Sequence, residues 1–175
     1  FVKGLRATLR QDPDVIMIGE IRDKETAKIA LEAAYTGHLV LSTLHTGNCQ
    51  DSLMRLASFD LDPFLVQHCL KGVVSQQLLH QPCPTCQKHS EKDEISFQSS
   101  GCEACHFRGF IGRTPVCEVL SYKDITHIPY SSLFDQPLPK ESYHSFTEDV
   151  SYKLDHGLVC QTHANALFSH VLSHT

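Results

Sequence analysis

This sequence predicts an α/β protein built on a parallel βαβ unit, with a small cysteine-bound module and a helical tail behind it. Three observations carry that prediction. Val15-Ile16-Met17-Ile18 and Leu39–Leu44 are short apolar runs bounded by Asp12-Pro13-Asp14, Gly19 and Gly37, the pattern of strands buried on both faces. Between them, Lys24 to Thr36 carries apolar residues at helical spacing. Further on, Cys83-Pro-Thr-Cys86 and Cys102-Glu-Ala-Cys105 stand fifteen residues apart, which is zinc-ligand spacing.

Each element has its own signal. Residues 1–12 read as a helix leading to the first strand. Asp23 is an N-cap for the segment to Thr36, whose stripe is Ala27, Ala30, Leu31 and Ala34, joined by Ile29 and Ala33. Gly37 follows as the residue past the helix end. Short joints make the two strands parallel neighbours. Thr46-Gly47-Asn48 is a turn, and Gln50 to Phe59 a helix. Asp62 caps and Pro63 opens a longer helix, Phe64 to about Leu79. The metal module runs from Pro82 to about Leu120, with a polar loop at Lys88 to Ser100. From Arg108 it reads as strands around glycine turns. Tyr122 to Glu141 is rich in proline and serine and reads as a linker. Phe146 to His174 is helical in pieces, broken at Gly157. The expected organisation is therefore 1–81, the α/β part; 82–120, the metal module; and 121–175, a linker and helical region.

Composition narrows the function classes. A net charge of −5 disfavours broad binding to nucleic-acid phosphates. No apolar run approaches the roughly 20 residues that span a bilayer. No signal peptide opens the chain, and Phe1 is no initiator methionine, so a fragment of a longer protein is expected. Of the eight cysteines, Cys49, Cys69, Cys117 and Cys160 show no disulfide framework, and a reducing compartment fits best.

The chemistry gathers at one sheet edge. Ligands of open α/β sheets sit outside the carboxyl ends of the strands. Glu20 follows the first strand there, with Arg22 beside it. His45 follows the second strand at the same edge, with Thr43 as a neighbour. His38 lies at the far end and reads as structural. Arg6 and Arg10 are four apart and share a helix face. The later histidines His127, His144, His156, His163, His170 and His174 lack ligand spacing and read as surface residues. Four thiolates, Cys83, Cys86, Cys102 and Cys105, make a closed tetrahedral zinc site with a structural role.

The run Arg6-Ala7-Thr8-Leu9-Arg10-Gln11-Asp12-Pro13-Asp14 through Arg22-Asp23 resembles the signature of the secretion ATPases, the family that drives type II secretion and type IV pilus assembly. Thr36-Gly37-His38-Leu39-Val40-Leu41-Ser42-Thr43-Leu44-His45-Thr46 resembles the family's histidine box. The resemblance extends from Leu5 to about Leu120. It implies the C-terminal portion of a RecA-like P-loop NTPase fold that uses ATP and Mg2+, with structural Zn2+. By the same resemblance Glu20 is the catalytic acid, and Gly19 stands where a typical P-loop enzyme carries aspartate. Arg6 and Arg10 face a nucleotide of the same or a neighbouring subunit. Glu20, Arg22, Thr43 and His45 are the implied nucleotide-binding residues: His45 senses the γ-phosphate with Thr43 as a weaker neighbour, and Arg22 fixes Glu20 or an adjacent loop.

No G-x-x-x-x-G-K-[ST] occurs in the 175 residues; in the family that loop lies upstream. The tetracysteine insert is implied to mark assembly-type rather than retraction-type members. The resemblance further implies a homo-hexamer that works on an inner-membrane platform protein through a membrane-anchored adaptor. Such a motor is cytoplasmic, peripheral at the inner membrane, and bound to the membrane only through partners. Direct nucleic-acid binding is not expected. Protein secretion, pilus growth and competence DNA uptake share these motifs. Two other readings stand beside this one: a degenerate paralogue that does not hydrolyse, and a zinc-ribbon module for nucleic acid.

Overall fold

A 3-10 turn at Leu9–Gln11 ends at Asp12, whose φ of 52° redirects the chain into the first strand. The computed structural model describes residues 4, 7, 9–85, 101–121, 138 and 140–172. Of the helix expected over 1–12, it describes this turn and the helical Gly4 and Ala7; the remainder lies outside the described residues.

Strands β1 (Val15–Ile18) and β2 (Leu39–Ser42) pair in parallel, from Val15 opposite Leu39 to Ile18 opposite Ser42. Helix α1 (Lys24–Tyr35) is the crossover, and the side chain of Asp23 accepts the Thr26 N–H at 2.8 Å, as a capping acid should. His38 closes the other end: its Nδ1 lies 2.9 Å from the Ala33 carbonyl, a helix-terminal acceptor that also takes the Thr36 hydroxyl at 2.9 Å and the His38 N–H at 3.2 Å. This is the structural role expected of it. Ile29, Ala30 and Ala33 of α1 pack on Ile16 and Ile18.

Burial on both strand faces, expected from the apolar runs, is not what the structure has. Ile16 and Ile18 are buried, but Val15 and Met17 face outward, Met17 at 74 % exposure. Leu39 and Leu41 lie beside them on the same outward face. The pleat sends alternate residues to opposite faces, and among the described residues α1 covers only one of them.

Helix α2 (Cys49–Ser58) starts at Asn48, whose side chain accepts the Asp51 N–H at 2.7 Å. Helix α3 (Pro63–Cys69) has Asp62 as N-cap and Pro63 in its first turn. Ala27, Leu56 and Phe59 bury together where α1 and α2 meet.

The helix expected to reach Leu79 stops at Cys69. Residues Gly72–Pro82 form a strand, β3, with Ser75, Leu79 and Pro82 buried. Two local facts outweigh the apolar content that suggested a helix. Val73 and Val74 are β-branched and favour extended backbone. Gly72 approaches its neighbour so closely that a Cβ there would lie 3.0 Å from the Leu120 carbonyl oxygen. Strand β4 (Phe110–Ser121) is likewise one long element, with Gly112 as an irregularity inside it rather than a turn between strands. With β5 (Tyr143–His144) these make a sheet of order β3-β4-β5.

The chain divides into two compact units: residues 1–75 with 119–143, and residues 76–118 with 144–175. In the first, Cys49, Leu53, Val66 and Leu120 form a core beside the βαβ cluster. In the second, Leu79 and Val116 pack with residues of two helices, α4 (Phe146–Asp155) and α5 (Gln161–Leu172), and of the segment between them. A reciprocal Ser145–Glu148 box caps α4, and α5 is interrupted at Phe168. The break at Gly157 falls between the helices, as expected. Most of the expected linker at 122–141 lies outside the described residues.

Two clusters of contacts lock the second unit. Asp149 accepts the Cys117 N–H at 2.8 Å and the Lys153 ammonium at 2.5 Å, and Lys153 also donates to the Pro115 carbonyl at 2.8 Å. The His80 ring lies between Phe110 and His163, with ring centres 3.9 Å away on each side, and the His80 N–H donates to His163 Nδ1 at 2.9 Å. His163 is thus half-buried structure, not the surface residue expected. Burial, then the nearby His163, Arg113 and Arg108, lowers the His80 pKa. No helix among the described residues is long and apolar enough to cross a membrane.

Candidate functional site

Glu20 and His45 lie just past the carboxyl ends of β1 and β2, and parallel pairing puts both at one edge. The backbone there is tied down residue by residue. The Thr43 hydroxyl donates to the Gly19 carbonyl at 2.6 Å, and the Ile21 N–H donates to the Thr43 carbonyl at 3.0 Å. His45 is the central residue of a γ-turn in which the Thr46 N–H donates to the Leu44 carbonyl at 3.1 Å. Buried Ser52 donates to the Asn48 carbonyl at 3.0 Å, so the Thr46 hydroxyl, 2.6 Å from Ser52 Oγ, is the donor of that pair.

These ties bring His45 Nε2 to 2.9 Å from Glu20 Oε2, while Arg22 Nη2 pairs with Glu20 Oε1. Both carboxylate oxygens therefore have a partner. The hydrogen bond from Arg22, then that from His45, holds the Glu20 carboxyl below the usual glutamate range. Arg22 and His45 are themselves 73 % and 83 % exposed, so solvent screens the pairing and its value lies in orientation more than in stability. An ionised, aimed carboxylate facing solvent is able to orient a water molecule or to meet a hydrated cation.

Of the residues singled out from sequence, Glu20, Arg22, Thr43 and His45 come together. Arg10 stands exposed on the turn before β1, and Arg6 lies outside the described residues. The supports Ser52 and Asn48 were not anticipated. Their signal was available: an Asn after Gly47 is a helix N-cap, and its carbonyl is then fixed for a nearby hydroxyl.

The second candidate site is the cysteine cluster. Cys83 directly follows β3 and its N–H donates to the Gly109 carbonyl at 2.9 Å. Cys102 precedes and Cys105 ends a 3-10 turn, Glu103–Cys105, followed by His106 and Phe107 with φ of 52° and 58°. Gly101, at φ 83°, faces the Phe107 backbone so closely that a Cβ would sit 2.5 Å from it. Cys102 Sγ lies 3.9 Å from both Cys83 Sγ and Cys105 Sγ, and all three sulfurs lie within 4.8 Å of one another. Tetrahedral zinc with bonds of about 2.3 Å places its sulfurs about 3.8 Å apart, so the triangle fits such an ion. The N–H groups of Cys102 and Gly109 point at Cys105 Sγ from 3.1 and 3.2 Å, as donors to a thiolate would. Cys86, the fourth expected ligand, lies outside the described residues. None of the described cysteines is in a disulfide.

Comparison with known proteins agrees with this arrangement. Residues 1–152 match the family model described as Type II/IV secretion system protein. Among curated relatives, the type II secretion system ATPase E of Vibrio cholerae is 41% identical over 155 residues, covering 80% of this chain and 31% of its own. The type IV pilus assembly ATPase PilB of Myxococcus xanthus is 43% identical over 141 residues, covering 71% and 25%. The chain thus spans about a third or less of the length of these relatives. Among solved structures, the Legionella pneumophila ATPase DotB superposes with a TM-score of 0.67 over 97% of this chain and 42% of its own, at 23% identity. The pilus retraction motor PilT, solved with ADP, gives 0.58 over 94% and 42%, at 28% identity. The fold is that of the RecA-like secretion ATPases, and the chain belongs to the type II/IV secretion system protein family.

Proposed function

We propose that this chain is the C-terminal part of the ATP-hydrolysing domain of a secretion or pilus-assembly motor. The observation that carries the reading is the Glu20 carboxylate, held by Arg22 and His45 at the carboxyl edge of a parallel sheet, in a member of this family. Phosphoryl transfer needs a phosphate cradle, Mg2+, an aligned water and positive charge for the transition state. Glu20 supplies the alignment of water, and the same carboxylate would help hold Mg2+, which would supply charge stabilisation to the phosphates. His45, hydrogen-bonded to Glu20, reports the γ-phosphate to that carboxylate. Arg6 and Arg10 supply guanidinium charge to a nucleotide, of the same subunit or the next. The phosphate cradle comes from a part of the protein outside these residues. Cys83, Cys86, Cys102 and Cys105 hold one structural Zn2+, which closes the module and takes no part in hydrolysis.

In this reading the motor is a cytoplasmic homo-hexamer at the inner membrane. It drives a platform protein through a membrane-anchored adaptor and binds no nucleic acid directly. Its cargo is protein for secretion, pilin for a filament or, in competence, DNA.

The test is steady-state ATP hydrolysis by the full-length assembly carrying Glu20→Gln. Turnover should fall by orders of magnitude with nucleotide affinity largely kept. Near-normal turnover would remove Glu20 from the mechanism. A companion Arg10→Ala should lower turnover at unchanged thermal stability; loss of folding with specific activity intact would make that arginine structural.

A further inference from the structure

Thr43 grips the chain on both sides of Glu20. Its hydroxyl holds the carbonyl of the residue before the carboxylate, at 2.6 Å, and its carbonyl holds the N–H of the residue after it, at 3.0 Å. The regular β1–β2 ladder has already ended at Ile18 and Ser42, so these two bonds continue the strand pairing past it. A threonine hydroxyl has one proton to give. Here that proton is committed to the Gly19 carbonyl at a short distance. Phosphate oxygens are acceptors, so they would have to take that proton away from Gly19. Thr43 is also the second residue before His45, so the same residue indexes the imidazole to the carboxylate it meets.

Resting on the assignment of Glu20 as the water-orienting acid, we infer that Thr43 is a positioning residue: it acts on Glu20 through the Gly19 and Ile21 backbone and does not bind the nucleotide itself. A hydrogen bond of this kind contributes enough that its loss should slow a step dependent on Glu20 orientation about tenfold. Substrate affinity should be untouched, because no contact to substrate is removed.

The experiment compares Thr43→Val, Thr43→Ala and Thr43→Ser with Glu20→Gln in the full-length assembly. Expected are a kcat about tenfold lower in the valine and alanine variants, an unchanged KM for ATP, and an unchanged Mg2+ concentration for half-maximal rate. Serine should restore most of the rate, since it keeps the hydroxyl. On a Glu20→Gln background, Thr43→Val should add no further loss, because the two residues act as a unit. A raised KM or Mg2+ requirement with kcat intact would make Thr43 a ligand and overturn the inference, as would a full additive loss on the Glu20→Gln background. If Glu20→Gln itself turns over normally, the functional reading fails, and the structural coupling is still read by carbon-13 NMR titration of the Glu20 carboxyl. Thr43→Val should then move that midpoint up toward the usual glutamate value as the Arg22 and His45 contacts loosen. An unmoved midpoint overturns the inference.

Discussion

Glu20 and His45 are twenty-five residues apart in the chain, yet their Oε2 and Nε2 atoms meet at 2.9 Å because two parallel strands end side by side. The contact gives the carboxylate a direction that an exposed side chain would not hold alone. His45→Ala removes it. We expect kcat for ATP to fall about 10–100-fold, the range for losing a hydrogen bond to a charged group. Steady-state kinetics checks this, and His45→Gln, which retains a donor of similar reach, should lose less.

The two partners of Glu20 should be distinguishable by titration. Its folded-state pKa is depressed, first by Arg22 and then by His45. The pairing is therefore present above the ordinary carboxyl value and is lost only as pH falls through the lower folded value. Carbon-13 NMR of the side-chain carboxyl should give a midpoint below that of free glutamate. Arg22→Ala should raise it more than His45→Ala does. A reversed order would mean that the histidine, not the arginine, dominates the carboxylate.

Metal analysis of purified protein should find one equivalent of zinc, falling towards zero in Cys83→Ser. Since ligation and folding of such a module are coupled, removing the metal with a chelator should also unfold residues 101–109, seen as rapid amide exchange there. ATP turnover should fall only as far as assembly fails.

Gly101→Ala tests the knuckle that presents Cys102 and Cys105. The substitution forces a Cβ against the Phe107 backbone at a positive φ, so the turn must open. Zinc affinity should drop while the secondary structure of residues 9–75 is kept, as read by competition with a chromogenic chelator and by amide exchange.

In the second unit, Lys153→Met should cost about 1–3 kcal/mol, because it leaves Asp149 and the Pro115 carbonyl short of a donor. Thermal or urea unfolding measures it. Asp149→Ala should cost at least as much, since it strands the Cys117 N–H as well.

What was legible in the sequence was whatever rests on local chemistry. Asp23 as a cap, the crossover helix, the parallel strands and the break at Gly157 follow from nearest-neighbour preferences, and they stand where expected. The grouping of Glu20, Arg22, Thr43 and His45 was legible because parallel strands carry their ends to one edge. Its ties were not, because a hydroxyl-to-carbonyl bond between residues 43 and 19 has no sequence signature. The helix expected through Leu79 failed where an apolar run permits either period and the deciding contact, Gly72 against Leu120, is distant in sequence. The burial of His163 is illegible for the same reason: its partner His80 lies in another element.

The outward face of β1 and β2 has a practical consequence for anyone handling these 175 residues alone. Val15, Met17, Leu39 and Leu41 form a contiguous oily strip on a sheet of two short strands. Such a strip binds fluorescent dyes and promotes self-association. Sulfate and other strongly excluded salts will worsen clumping, because they drive exposed hydrocarbon together. Purification and spectroscopy of the isolated piece therefore call for low protein concentration and salts such as chloride. An inactive preparation should first be checked for aggregation by light scattering before its silence is assigned to chemistry.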